Sequence, residues 1–294
     1  MALAYESVQT SNSGTTSVTI TKPASLAVGD LMIAHLGCSI STSTFLANFT
    51  ATGWTQIATD VADSGSNGHR ATAYYKVADS GDTGATDFTF TADAGAESIC
   101  GAIYRFSGAA SAGGAPTGAA DEENTATTTP TFVNTMTPAF ADCIMLFLAS
   151  VPSSGGTSFS GYAITTNNPT WTERYDISNT AAGADGDTTL AGATASRPEV
   201  TATGDSTVTI ANSLGASIGI IVAVYPIVNA TVSPAVQVLA SSIPAPVISG
   251  SANVSAGVQV LASSIPTPTV SVATPDWTNT DKSSTSTFTN PDKS

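Results

Sequence analysis

Ser217 lies in Gly215-Ala-Ser-Ile-Gly219, the G-x-S-x-G spacing of a nucleophile elbow. That chemistry needs a strand before the serine, a helix after it and a histidine later in the chain. Here the β-branched run Ile220–Val224 follows, and both histidines, His35 and His69, come earlier. The pentapeptide therefore reads as a turn entering a strand. His35 alternates with apolar neighbours in LMIAHLG and reads as a strand histidine with one hydrogen bond. His69, in SGSNGHR, reads as a solvated loop residue. A zinc site needs three or four close N or S ligands, and no cysteine is near either histidine. Cys38, Cys100 and Cys143 lie far apart within apolar runs and are expected to be buried free thiols.

The acidic groups are as plain. Asp79-Ser-Gly-Asp82 and Asp185-Gly-Asp187 could offer oxygens to calcium, but neither continues into a loop closed by a glutamate. Both read as turn chemistry. Asp121-Glu122-Glu123 reads as a solvated charge cluster. No aromatic cluster accompanies these acids, as a glycoside-cleaving carboxylate pair would require for its sugar. The sequence thus points to no catalytic residue, no metal and no cofactor, and to a protein that is not an enzyme. Trp54 and Trp171 hold matching places in two similar halves. They read as core anchors or, in the sharper alternative, as a sugar-stacking platform.

The elements that would position these residues are strands. Charged residues make up only 10% of the 294 residues, against a typical ~25%, while hydrophobic residues make up 41%. The polar remainder is Ser, Thr, Asn and Gly, which suits strands and turns rather than helix surfaces. The net charge of −14, with no basic stripe, argues against nucleic-acid binding. The run Gly215–Val228 is too short for a membrane helix, and the N-terminus lacks a secretory signal. A chain made in the cytoplasm and released by lysis fits this combination.

Ser17–Thr21, Leu31–Leu36, Ala71–Val77, Phe88–Phe90 and Ile99–Phe106 carry strand patterns bounded by turn residues. From about Thr129 the order of features begins again. Asp30-Leu-Met-Ile is echoed by Asp142-Cys-Ile-Met, Trp54-Thr-Gln by Trp171-Thr-Glu, and Ala102–Phe106 by Ile221–Tyr225. The prediction is an all-β, jelly-roll-like sandwich over residues 1–228. Its halves, about 1–107 and 129–228, would each hold roughly five strands with one apolar face. An exposed loop, 108–128, would join them.

Beyond it, VQVLASSIP occurs at Val236–Pro244 and again at Val258–Pro266. Ordering one copy alone costs more than its few apolar side chains return on burial. The same side chains are too many for a plain tether. Residues 229–272 are therefore expected to be extended β repeats that pack on sister chains or on a partner. The candidate contacts are Val236, Val238, Leu239, Ile243, Val258, Val260, Leu261 and Ile265. A docking tail, 273–294, repeats a Trp277-Thr-Asn pattern at Phe288, giving two aromatic anchors.

The segments LAVGDLMIAHL, GWTQI, YYKVADSGD and ICGAIYRFSG, with the SIPAP and SIPTP repeats and the TNxDKS echo, resemble structural proteins of tailed-bacteriophage virions. The resemblance implies a surface component of the particle: capsid decoration, head fibre or tail-associated protein. It implies no catalytic residues. The partners it implies are other virion proteins, such as the major capsid or tail protein, and sister copies in a homo-oligomer such as a trimer. The alternative is a carbohydrate-binding or adhesin module that recognises a host-surface glycan.

Overall fold

The computed structural model describes residues 2–14, 16–40, 49–63, 68–92, 96–109, 114–153, 156–180, 187–212 and 215–227. The C-terminal repeats and tail, with every contact residue expected there from Val236 to Phe288, lie outside the described residues.

The chain is built from strands. In order they are β1 (Ala4–Ser13), β2 (Ser17–Thr21), β3 (Leu31–Ile40), β4 (Phe49–Thr50), β5 (Thr55–Asp63), β6 (Gly68–Val77), β7 (Asp87–Ala92) and β8 (Ala96–Ser107). A second set follows: β9 (Thr117–Glu123), β10 (Thr131–Phe132), β11 (Cys143–Ser153), β12 (Phe159–Ile164), β13 (Thr172–Asn179), β14 (Asp187–Arg197), β15 (Ser206–Ile210) and β16 (Ser217–Val224). One short helix, α1 (Ser80–Gly84), separates β6 from β7. Asp79 and Asp82 close its first turn as a reciprocal capping box.

The first set forms a five-stranded sheet of order β1-β8-β3-β6-β5 and a three-stranded sheet β2-β7-β4. The second set repeats both orders eight strands later: β9-β16-β11-β14-β13 and β10-β15-β12. The body is an antiparallel all-β sandwich of two similar halves. Each half differs from expectation in one respect. It has eight strands rather than about five, because its long strands are apolar on both faces. In β3, Leu31 and Ile33 face the other half, while Met32, Ala34, Leu36 and Cys38 face the small sheet of their own half. Leu146 and Leu148 of β11 face inward in the same way, and Met145, Phe147 and Ala149 face their small sheet. A strand buried on both faces reads as a continuous apolar run, so alternation alone undercounts its partners. Three cores result, one between the halves and one inside each half.

The segment expected as an exposed loop, 108–128, contains β9. It pairs with β16 along Thr117–Glu123 and closes the edge of its sheet. Small residues hide this strand from a hydrophobic pattern. Gly118 is required there, since a Cβ would meet the Ile221 carbonyl oxygen at 2.8 Å and Ile57 Cγ2 at 2.9 Å. At the far end, Pro226 bridges to Ala109 and the Ile227 N–H donates to the Gly108 carbonyl at 3.1 Å. Among the described residues no helix is long and apolar enough to cross a membrane.

Candidate functional site

Both histidines lie between the halves. His35 of β3 shares a 2.6 Å hydrogen bond with the Tyr175 hydroxyl of β13. His69, expected in a solvated loop, instead begins β6 beside Gly68 and is fully buried. It is hydrogen-bonded to Ser150 of β11. Burial holds both imidazoles neutral, pulling each down to about 3, and His69 adds to the effect on His35. Ser150 and His69 are a hydroxyl and a base in contact, the first half of a nucleophile arrangement. Yet among the described residues His69 Nδ1 has no partner to orient the ring, and both side chains are fully buried. The pair holds the halves together, as do the 2.8 Å bond from Ser98 to Thr188 and the 2.8 Å bond from Asn12 to the Ser178 carbonyl.

Ser217 of the G-x-S-x-G stretch opens β16 and is buried, with a strand and no helix after it. Cys38, Cys100 and Cys143 are buried thiols outside any disulfide. Burial raises the Cys100 thiol to about 12 and Cys143 to about 11, the wrong direction for a nucleophile. Trp54 packs edge-on against Phe88 and Phe90 at 5.7 and 5.3 Å, and Trp171 against Phe147 at 6.0 Å. The two belong to the separate inner cores of the two halves and are not brought together.

Asp121 and Glu122 are not simply solvated. Strand β9 carries them to Asp60 of β5, so that one oxygen from each lies within 4.8 Å of the others. Burial raises Asp60 to about 6. The Val61 N–H opposes this, and the charges of Glu122 and Asp121 add to it. The set has the oxygen chemistry of a cation ligand group. One oxygen of each carboxylate is already engaged, however. Asp60 accepts from the Val61 N–H at 2.8 Å, Asp121 from the Val133 N–H at 2.6 Å, and Glu122 from Asn124 at 3.3 Å. Sequence reading missed the cluster because β9 was hidden.

A groove of about 870 Å³ opens where the start of β1 meets β13 and β14. Arg174 and Tyr5 both line it, with the guanidinium carbon 4.0 Å from the ring centroid. Arg174 Nε donates to Thr194 at 2.7 Å, and no other nitrogen of this guanidinium donates a hydrogen bond to a described residue. Asn168 fixes one wall, its carboxamide oxygen accepting from the Ile164 N–H and Trp171 Nε1, each at 3.0 Å. Glu199 also lines the groove and accepts no hydrogen bond from a described residue. Behind the wall Arg197 is fully buried. It donates to the carbonyls of Thr166, Asn167, Thr201 and Ala202 at 3.2–3.3 Å. Among the described residues it has no carboxylate partner, and four carbonyls replace its hydration.

Comparison with known proteins finds no matching family model, no matching curated protein and no matching solved structure. Trp54 and Trp171, read as core anchors or alternatively as a glycan platform, are both partly buried packing partners of the inner cores. The groove chemistry belongs instead to Arg174, Asn168 and Glu199, which no sequence motif marks.

Proposed function

We propose that this chain is a structural protein of a tailed-bacteriophage virion, carried on the particle surface. It joins sister copies or the particle through its C-terminal repeats. The observation that carries this reading is the contrast between body and repeats. The body is a closed sandwich with three filled cores of its own. The two VQVLASSIP copies that follow are apolar, free of titratable side chains and too poor in apolar area to fold singly. An element of that kind gains order by packing on other chains. The resemblance of the body segments and SIP repeats to phage virion proteins points the same way. The buried state of the histidines and thiols is what a scaffold requires, since it uses them for packing and hydrogen bonding.

Deleting residues 229–294 tests the assignment. The truncated chain is expected to stay folded and soluble and to lose association with purified particles and with sister copies, measured by mass spectrometry of particles and by light scattering. Unchanged assembly of the truncated chain, or absence of the full chain from particles, overturns the proposal.

A further inference from the structure

The two halves share one topology, so each position in one has a counterpart in the other, and departures between them are informative. In both five-stranded sheets the outer strand carries a bulge at the same place. One lies between Gln56 and Ala58, the other between Glu173 and Tyr175. A bulge re-aims the extra side chain. In the first half that side chain is Ile57, which packs against the central core and lies beside Gly118 of β9. In the second half it is Arg174, laid over Tyr5 of β1. The next departures lie at the end of the neighbouring strand. Leu31 pairs with Val77, and its inward-facing counterpart Ile144 pairs with Ser196. The residue after Val77 is buried Ala78; the residue after Ser196 is buried Arg197. A position that packing fills with apolar residues in one copy is polar in the other, and a groove lies there.

The groove is also held in shape. Arg197 ties Thr166 and Asn167 to Thr201 and Ala202, which fixes two loops relative to each other. Asn167 sits at φ 50°, a left-handed conformation that asparagine tolerates. Preformed walls remove part of the ordering cost of binding.

We infer that this groove binds a short, neutral oligosaccharide. Its volume lies within the ~300–1,000 Å³ typical of small-ligand clefts, but its lining is polar where most such clefts are apolar. The groups present are both donors and acceptors. The Arg174 nitrogens and the Asn168 amide N–H groups donate, the Glu199 carboxylate accepts, and the Asn167 carboxamide and the Ser196 hydroxyl do either. A ligand matching that set must also donate and accept at closely spaced points, as adjacent sugar hydroxyls do. One guanidinium set against one carboxylate, on a chain of net charge −14, gives an anion no advantage. The inference is independent of the assembly role of the repeats.

The test uses the full-length chain on an array of neutral di- to pentasaccharides of hexoses and N-acetylhexosamines, followed by calorimetry on any hit. Arg174→Gln, Glu199→Gln and Ser196→Trp alter the groove. Thr52→Trp alters the corresponding exposed loop of the first half. Equal urea midpoints for all variants establish that each is folded. Binding that each groove variant weakens about tenfold or more, the loss of roughly one good hydrogen bond, and that Thr52→Trp leaves unchanged supports the inference. A blank array overturns it, and so does binding that the groove variants leave within about twofold of the parent. Neither result bears on particle assembly, which is measured separately.

Discussion

His35 Nδ1 and the Tyr175 hydroxyl lie 2.6 Å apart, and each comes from a different half of the body. Both groups are buried, and His35 Nε2 has no partner. Among the described residues the Tyr175 bond is therefore the sole hydrogen bond of the imidazole. Replacing Tyr175 by Phe keeps the ring packed 5.7 Å from Tyr104 and removes only the hydroxyl. It leaves a dry polar ring without a partner, so the expected loss is ~1–3 kcal/mol, read as a lower urea midpoint at unchanged slope. An unchanged midpoint would show that the bond contributes nothing across this interface.

Acid should loosen the same interface. The folded-state values of His35 and His69 are held at about 3, below the unfolded value of 6.5. Between pH 6.5 and 3 the unfolded chain therefore binds protons that the native chain refuses. Stability is fully present above pH 6.5 and falls as pH drops toward 3, by up to ~1.4 kcal/mol per pH unit for each histidine. Asp60, raised to about 6, acts in the opposite sense below that pH but is only half-buried. Urea midpoints from pH 7 to pH 4 should decline, and His69→Gln, which keeps a hydrogen-bonding group beside Ser150, should flatten the decline. A midpoint that rises on acidification contradicts both assignments.

The class of fold was legible because period-two alternation and turn residues are local signals. The duplication was legible too, but its register was not. Aligning Asp30-Leu-Met with Asp142-Cys-Ile matches Leu31 to Cys143. In the structure Leu31 faces the other half and Cys143 faces its own small sheet, so the true counterpart of Leu31 is Ile144. A slip of one residue inverts every facing along a strand. Strand β9 was illegible for a different reason. Thr117–Ala120 offers nothing larger than Thr to bury, and the strand is specified by the free edge of β16, a partner distant in sequence. The groove depends on Arg174 leaving the regular ladder at a bulge, which a linear pattern does not mark.

Close packing between the halves predicts a sharp response at Gly192. A Cβ there would lie 1.9 Å from the Tyr104 hydroxyl oxygen and 2.9 Å from Tyr175 Cε1. Tyr104 is fully buried and ringed by Tyr5, Phe106 and Tyr175, so it has little room to move. Gly192→Ala should cost ~1–3 kcal/mol or more through overpacking. Gly84→Ala meets nothing within 4 Å and should stay within about 0.5 kcal/mol of the parent. Thermal melts of the two side by side test this, and equal melting temperatures would deny the crowding.

The carboxylates of Asp60, Asp121 and Glu122 make the opposite kind of prediction, a gain. Asp60 has a folded-state value of about 6, raised mainly by burial and further by Glu122 and Asp121. The native state holds its proton up to about pH 6 and the unfolded chain only up to 3.8, so the contribution is full below pH 3.8 and is lost as pH rises to 6. Asp60→Asn fixes the uncharged form and keeps a side-chain oxygen near the Val61 N–H. It should stabilise the chain at pH 8 by less than ~1 kcal/mol, since the site is half-exposed and solvent screens it. At pH 5 the native carboxyl is mostly protonated while the unfolded one is not, so the gain should be smaller than at pH 8, and it should vanish only near pH 3.8. Denaturation at the two pH values reads the difference directly. A variant less stable than the parent at pH 8, or a gain of equal size at both, would show that repulsion across the β5–β9 edge is not felt.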